Sequence, residues 1–175
     1  MAGAPGIAIE PLSSARLDLE PLAVEHAAEA APLFADERLH TWTGGSPADE
    51  DELRRRYGRQ VAGRSPDGRQ VWLNWMLRDR RTGRLVGTVQ ATVAVDERSD
   101  RPTADLAWVV GTAHQGRGYA REGAAAMTDW LRTRGVNRLR ASVHPEHSAS
   151  IAVARALGLV ATATTVDGEV RWAGG

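Results

Sequence analysis

Trp108-Val-Val-Gly-Thr-Ala-His-Gln-Gly-Arg-Gly-Tyr-Ala-Arg121 passes from a run suited to a buried strand, through a tight basic turn, into the start of a helix. Gly116 and Gly118 flank Arg117 where strand gives way to helix. The first four N–H groups of a helix lack an intrahelical acceptor, and the macrodipole adds partial positive charge there. Glycine removes the side chain that would hold a ligand off the backbone. The turn therefore predicts a cradle for a phosphate or pyrophosphate.

The totals narrow what could fill that cradle. At 175 residues the chain is most economically one domain with a substantial core. Formal net charge is zero and the arginines are dispersed, unlike the basic tract of a nucleic-acid binder. No apolar run approaches the roughly 18 residues of a membrane span. Met1-Ala-Gly-Ala-Pro-Gly6 lacks the charged start and apolar core of a secretory signal, so a cytoplasmic protein is expected. Cysteine is absent, which removes disulfides, thiol nucleophiles and thiolate metal sites. Lysine is absent too, since all 22 basic residues are arginine. That excludes a Gly-Lys-Ser/Thr phosphate loop and a lysine Schiff base. Backbone N–H groups and arginine remain as pyrophosphate readers.

Outward from the turn, Tyr119–Arg134 reads as a helix with Ala120, Ala124, Met127 and Leu131 on its apolar face, ended by Gly135. Leu139–Val143 reads as a strand, His144–His147 as a loop and Ser148–Leu157 as a helix stopped by Gly158. Val160–Val166 and Glu169–Trp172 form a hairpin around Asp167-Gly168. Upstream, Val71–Arg78, Leu85–Val95 and Asp105–Val110 are strand-like, with a loop from Asp96 to Pro102. Arg16–Glu20 alternates like a half-buried strand, and Val24–Ala35 looks helical with Pro32 kinking it. His40–Gly45 reads as a loop or short extended piece. Ser46, with Pro47 and Asp49, is expected to cap a helix whose apolar face is Leu53, Tyr57 and Val61. The glutamate and arginine run along that helix is expected to be a solvated face. Residues 1–13 read as a loose leader and 14–173 as one α/β (α+β) domain in the order β-α-α-β-β-β-α-β-α-β-β.

At this point the chain resembles the GCN5-related N-acetyltransferase superfamily. Its Gln/Arg-x-x-Gly-x-Gly/Ala motif is matched by Gln115-Gly-Arg-Gly-Tyr-Ala120. Val143-His-Pro-Glu-His-Ser-Ala-Ser150, followed by Leu157-Gly-Leu159, looks like the Asn-x-x-Ser … Leu-Gly-Phe block of the branch that acetylates ribosomal-protein N-termini. The resemblance implies a mixed central sheet of about six to seven strands, splayed at its centre and flanked by about four helices. It implies acetyl-CoA as cosubstrate, no metal, and direct transfer to a protein N-terminal α-amine or a small-molecule amine; a homodimer is left open. The pantetheine arm would lie beside Asp105–Val110, paired with backbone near Trp108, Val109 and Val110. The pyrophosphate would rest on N–H groups of Gln115, Gly116, Arg117, Gly118, Tyr119 and Ala120, with Arg117 and Arg121 adding charge-assisted bonds.

The chain departs from that branch where His147 replaces the usual asparagine and Ala154 stands where many relatives carry tyrosine. Ser150 is then the candidate general acid for the departing thiolate, or a helix serine bonded to its own backbone. An α-amine, with pKa about 7.7–8.0, is partly neutral near pH 7 and needs a weaker base than a lysine-like amine near about 10.4. Asp105 is the candidate for polarising a water there, or an ordinary strand-end carboxylate. His144 and His147 have His-x-x-His spacing but no third ligand, so His147 is assigned to CoA or to capping the next helix. Trp42, Trp72, Asn74 and Trp108 are candidates for the acceptor side, with core packing as the alternative. A dinucleotide fingerprint fails because Arg121 stands where its third glycine belongs. A serine-hydrolase Gly-x-Ser-x-Gly is missing. A CoA-binding module without catalysis is the reading of another class.

Overall fold

β-Branched and aromatic residues alternating between two faces set the centre of the molecule. The computed structural model describes residues 6–96 and 101–175. Its strands are β1 (Leu12–Ser13), β2 (Leu17–Pro21), β3 (Gln70–Asp79), β4 (Arg84–Asp96), β5 (Arg101–Val110), β6 (Arg138–Val143), β7 (Val160–Val166) and β8 (Glu169–Gly174). They form a single sheet in the order β1-β2-β3-β4-β5-β6-β8-β7. Among the described residues only β5 and β6 pair in parallel. The α-helices are α1 (Ala27–Leu33), α2 (Glu37–Thr43), α3 (Glu50–Gln60), α4 (Tyr119–Thr133) and α5 (Ser148–Ala156).

The two faces of the sheet carry different helices. Val71, Leu73, Trp75 and Leu77 of β3 join Ala104 and Leu106 of β5 beneath Ala124, Met127 and Leu131 of α4 in the main core. On the opposite face Met76 packs with Ala27 and Ala30 of α1 and Leu53 and Tyr57 of α3. At about 25 cal/mol per Å² of buried apolar surface, these clusters supply the driving force that holds the helices on the sheet.

β5 and β6 pair only from Thr103–Arg138 to Leu106–Ala141. Beyond that point β5 continues to Val110 and β6 to Val143 with no pairing between them. The strands diverge, leaving a V-shaped gap whose walls still carry backbone polar groups. This is the splayed centre that the resemblance implies.

Several local expectations change. Eight strands and five α-helices replace six to seven and four. The additional β1 lies in the stretch read as a leader, where Ile7 packs on the core and Trp75 Nε1 donates to the Glu10 carbonyl at 2.8 Å. The leader's first five residues lie outside the described ones. α2 replaces the expected loop at 40–45, because Asp36 accepts from the Arg38 N–H at 2.9 Å and caps it. Asp49, not Ser46, caps α3, accepting from the Glu52 N–H at 2.8 Å. β5 begins at Arg101 rather than Asp105, pairing back to Asp96, so the loop expected at 96–102 is mostly strand at its edges. Its residues 97–100 lie outside the described ones. Val24–Ala35 divides into a 3-10 turn (Val24–His26) and α1, with Pro32 near the end of α1. Among the described residues no helix is long and apolar enough to cross a membrane.

Candidate active site

The V between β5 and β6 opens into a cavity of about 380 Å³. Its walls come from the end of β5, the turn before α4, the first turns of α5, and Leu39, Trp42 and Thr43 of α2. The Gly111 N–H donates to the Val86 carbonyl at 3.0 Å, so alternate β5 residues aim their backbone groups at β4. Trp108 and Val110 lie out of phase with Gly111. Their backbone groups therefore point away from β4, into the V. The Val110 carbonyl accepts from Gln115 Nε2 at 3.1 Å, which ties the strand end to the turn. Gly87 is required beside it, because a Cβ there would lie 2.4 Å from the Val109 carbonyl oxygen.

The turn has the geometry expected of an anion cradle. Gly116 and Gly118 have φ of 73° and 80°, the left-handed region that other residues rarely adopt. The first helical bond of α4 runs from the Glu122 N–H to the Gly118 carbonyl. The N–H groups of Tyr119, Ala120 and Arg121 therefore have no helical acceptor. Support comes from below: Arg16 donates to the Arg117 carbonyl at 2.9 Å and to Glu122 at 2.7 Å, and stacks over Tyr119. Tyr119 turns its ring into the core and donates its hydroxyl to Asp79 at 3.1 Å, so only its backbone faces the turn. Arg121 is exposed and lines the cavity, whereas Arg117, also exposed, lines a separate cleft with Arg16, Asp79 and Arg80.

These features fit the pyrophosphate and pantetheine of CoA. Unpartnered N–H groups would meet the phosphates, and the unpaired strand edges in the V would meet the amides of the arm. Inside the cavity, Trp108 Nε1 donates to Ser150 Oγ at 2.9 Å. The hydroxyl accepts from the indole and keeps its own proton for a further acceptor. His147 is the N-cap of α5, its Nδ1 accepting from the Ser150 N–H at 3.4 Å. Burial, reinforced by the charge of His144, holds the His147 pKa below that of an ordinary imidazole. Trp42 stacks on His147 with centroids 4.6 Å apart and lies tilted 5.3 Å from His144, closing α2 over the gap. The histidine pair thus meets a tryptophan. Among the described residues no group of three His, Asp or Glu is placed to hold a metal ion. Ala154 is fully buried in the core.

A second cavity, about 270 Å³, lies on the other side of the sheet beneath α3. It shares Leu39, Thr43 and Val109 with the first, so the two meet at the end of β5. Thr88, Gln90, Tyr57 and Gln60 bring polar groups to it. Burial pushes the Tyr57 phenol above its usual pKa, so it stays neutral at pH 7.

Trp42 and Trp108 come together at the V with Ser150 and His147. Asp105 does not join them. It sits mid-strand, with Oδ2 accepting from Arg140 at 3.0 Å and Oδ1 from Arg171 at 2.5 Å. Four residues of strand separate it from Val109, about 13 Å at ~3.3 Å per residue. Trp72 and Asn74 share its face of the sheet through the Trp72–Thr92–Asp105 and Asn74–Gln90–Ala107 registers, yet neither lines either of these two cavities. Trp72 Nε1 donates to Gln70 and the Asn74 carbonyl accepts from Leu22. Sequence reasoning missed Thr43, Gln60 and Gln90, which no local motif marks.

A family model described as "Acetyltransferase (GNAT) domain" matches residues 16–160. A curated relative, the uncharacterized protein YkkB of Bacillus subtilis (strain 168), is 29% identical over 86 residues, 49% of each chain. The matched stretch thus spans about half the length of that relative. Among solved structures, an acetyltransferase from Agrobacterium tumefaciens str. C58 superposes with a TM-score of 0.69 at 26% identity, covering 99% of this chain and 98% of that one. RimL, a ribosomal L7/L12 α-N-protein acetyltransferase solved in complex with coenzyme A, has a TM-score of 0.75 at 17% identity, covering 94% and 97%. At that identity the likeness to RimL is one of fold.

Proposed function

The chain belongs to the GNAT acetyltransferase family, and on that premise we propose that it transfers acetyl from acetyl-CoA directly to a primary amine. The acceptor is a protein N-terminal α-amine or a small-molecule amine, and the protein is cytoplasmic. One observation carries the reading. The divergence of β5 and β6 opens beside the uncapped N-terminus of α4, and the Ser150 hydroxyl lies in the same cavity. RimL, which shares the fold, was solved with coenzyme A bound.

Acetyl-CoA, when bound, supplies the acetyl group as a thioester and leaves as the free thiol. The N–H groups from Gly116 to Ala120 hold its pyrophosphate, that of Gln115 being donated to the Thr112 carbonyl, and Arg121 adds a guanidinium donor from the cavity wall. Backbone groups of Trp108 and Val110 align the arm along β5. Ser150 keeps a proton at Oγ for the departing sulfur, oriented by the bond it accepts from Trp108. The neutral His147 fixes the start of α5, and with it the position of Ser150. Among the described residues no carboxylate lines the V, so the amine loses its proton to water, which an α-amine does far more readily than a lysine-like amine.

The test presents purified protein with acetyl-CoA and a panel of amines and N-terminal peptides. Thiol release that depends on the amine, with acetylated amine in equal amount, is expected. CoA binding with no turnover on any acceptor would make the chain a binding module instead.

A further inference from the structure

The cavity beneath α3 contains one unmet demand. Gln60 Oε1 is buried and has no hydrogen-bond partner, and Gln60 lines this cavity together with Gln90 and with Tyr57, one turn earlier on α3. A buried acceptor left unpaired costs free energy, so its retention calls for a donor that arrives from outside. The remaining walls are mostly apolar: Leu22, Phe34, Leu53, Met76 and Val109. Among the described residues no carboxylate lines the cavity. The ring nitrogens of His40 lie 3.3 and 3.2 Å from the Phe34 and Gly44 carbonyl oxygens, so the one N–H of a neutral ring is held within the protein. Arg56 is the one permanent charge among the described lining residues, and its guanidinium is paired with Glu52 at 3.4 Å, outside the lining.

We infer that this cavity is the acceptor site and that it takes a compact apolar α-amino amide. The amine faces Val109, and an uncharged N–H of the amide donates to Gln60. The inference rests on the transfer reading above, because the shared wall at Val109 makes this cavity the approach to the V. Its size, about 270 Å³, falls below the ~300–1,000 Å³ of sites for larger ligands, so it admits about one residue's body. A diamine or polyamine would bring a second ammonium into a space with no anion to pair it, which is unfavourable. The same chemistry comes from a free amino-acid amide or from the first residue of a polypeptide, whose own peptide N–H is the donor.

Calorimetry on the CoA-loaded protein tests this without turnover. The probes are phenylalaninamide, phenethylamine, putrescine and a pentapeptide beginning with phenylalanine. Phenylalaninamide should bind at least about tenfold more tightly than putrescine. Gln60→Leu should weaken phenylalaninamide about tenfold and leave phenethylamine, which lacks the amide, unchanged. Gln60→Glu should shift preference towards putrescine by supplying the missing anion. Pentapeptide binding equal to that of the amide identifies a polypeptide end as the source; binding of the amide alone identifies a small molecule. Failure of phenylalaninamide to bind, equal binding of putrescine, or indifference to Gln60→Leu overturns the inference. Gln60-dependent binding with no thiol release would keep the inference and overturn the transfer reading. Thiol release from amines that ignore Gln60 would do the reverse.

Discussion

The two cavities that meet at Val109 are built from different materials. The V between β5 and β6 is made largely of backbone: unpaired strand edges, two glycines in the left-handed region and the open end of α4. The cavity beneath α3 is made of residues from α2, α3 and three strands, with Leu22, Phe34 and Ala48 of the connections between elements. Backbone presents the same N–H groups whatever the neighbouring side chains are, which suits a cosubstrate of constant structure. A side-chain wall can be re-specified residue by residue, which suits an acceptor that differs from one enzyme to the next. The two regions should therefore respond differently to substitution.

The largest effect is expected at Ser150, the side chain proposed to hold a proton for the departing thiolate. Ser150→Ala should lower kcat about 100-fold, within the usual contribution of a positioned proton donor, while CoA affinity stays within about twofold. Steady-state kinetics with calorimetry separates the two, and an unchanged kcat removes Ser150 from the mechanism. Next comes the backbone itself. Gly118→Val forces a β-branched residue to φ near 80° and should weaken CoA about 30-fold, on the order of 2 kcal/mol. A Cβ at Gly118 would meet only the Arg16 guanidinium, at 3.5 Å. The loss is thus one of conformation rather than of space. Gly116→Ala, with nothing within 4 Å of its Cβ, should cost only the milder left-handed penalty, roughly fivefold to tenfold.

Smaller effects sharpen the contrast on the open side of the sheet. Asp105→Asn should leave kcat unchanged, because both carboxylate oxygens are engaged by Arg140 and Arg171 at a distance from the V. Loss of these half-exposed ion pairs should lower stability by no more than about 1 kcal/mol. A kcat drop exceeding about tenfold would return Asp105 to the role of base. The smallest effect is a pH dependence. His147 has its pKa lowered by burial and by His144, so near and just below the ordinary imidazole value of about 6.5 the unfolded chain binds the additional proton. Stability from this group is present above that value and is lost as pH falls through the lowered folded pKa. His147→Asn keeps a capping acceptor and should flatten this part of a Tm-against-pH curve between about pH 5 and pH 7.

What the sequence makes legible follows the same division. The turn could be read because its determinants are consecutive: glycine, arginine, glycine and a helix start act within six residues of chain. The strands of the core were legible for the same reason, from Val71 to Arg78 and from Leu85 to Val95. α2 was not, because Gly44-Gly45 and β-branched Thr41 and Thr43 argue for a loop, whereas the Asp36 cap and the packing of buried Leu39 decide for helix. Asp105 looked like a strand end only because Arg101 and Pro102 have weak strand preference. Pairing with β4 from Asp96 onward overrides that preference. Gln60 ends a charged helix that reads as a solvated face, and only the packing of α3 on the sheet turns its oxygen inward. Helical spacing from buried Leu53 and Tyr57 places Gln60 on their face, but nothing in its residue type marks it as buried.

The account stands or falls on the turn from Gln115 to Ala120, and thermal unfolding in the presence of CoA tests it most directly. At 100 times the dissociation constant a ligand stabilises its protein by about 2.7 kcal/mol, several degrees in Tm for a domain of this size. The wild-type protein and Gln60→Leu should both show that rise, and Gly118→Val should show little of it at the same CoA concentration. No shift of the wild-type Tm at millimolar CoA, or a full shift retained by Gly118→Val, would contradict the assignment of the turn.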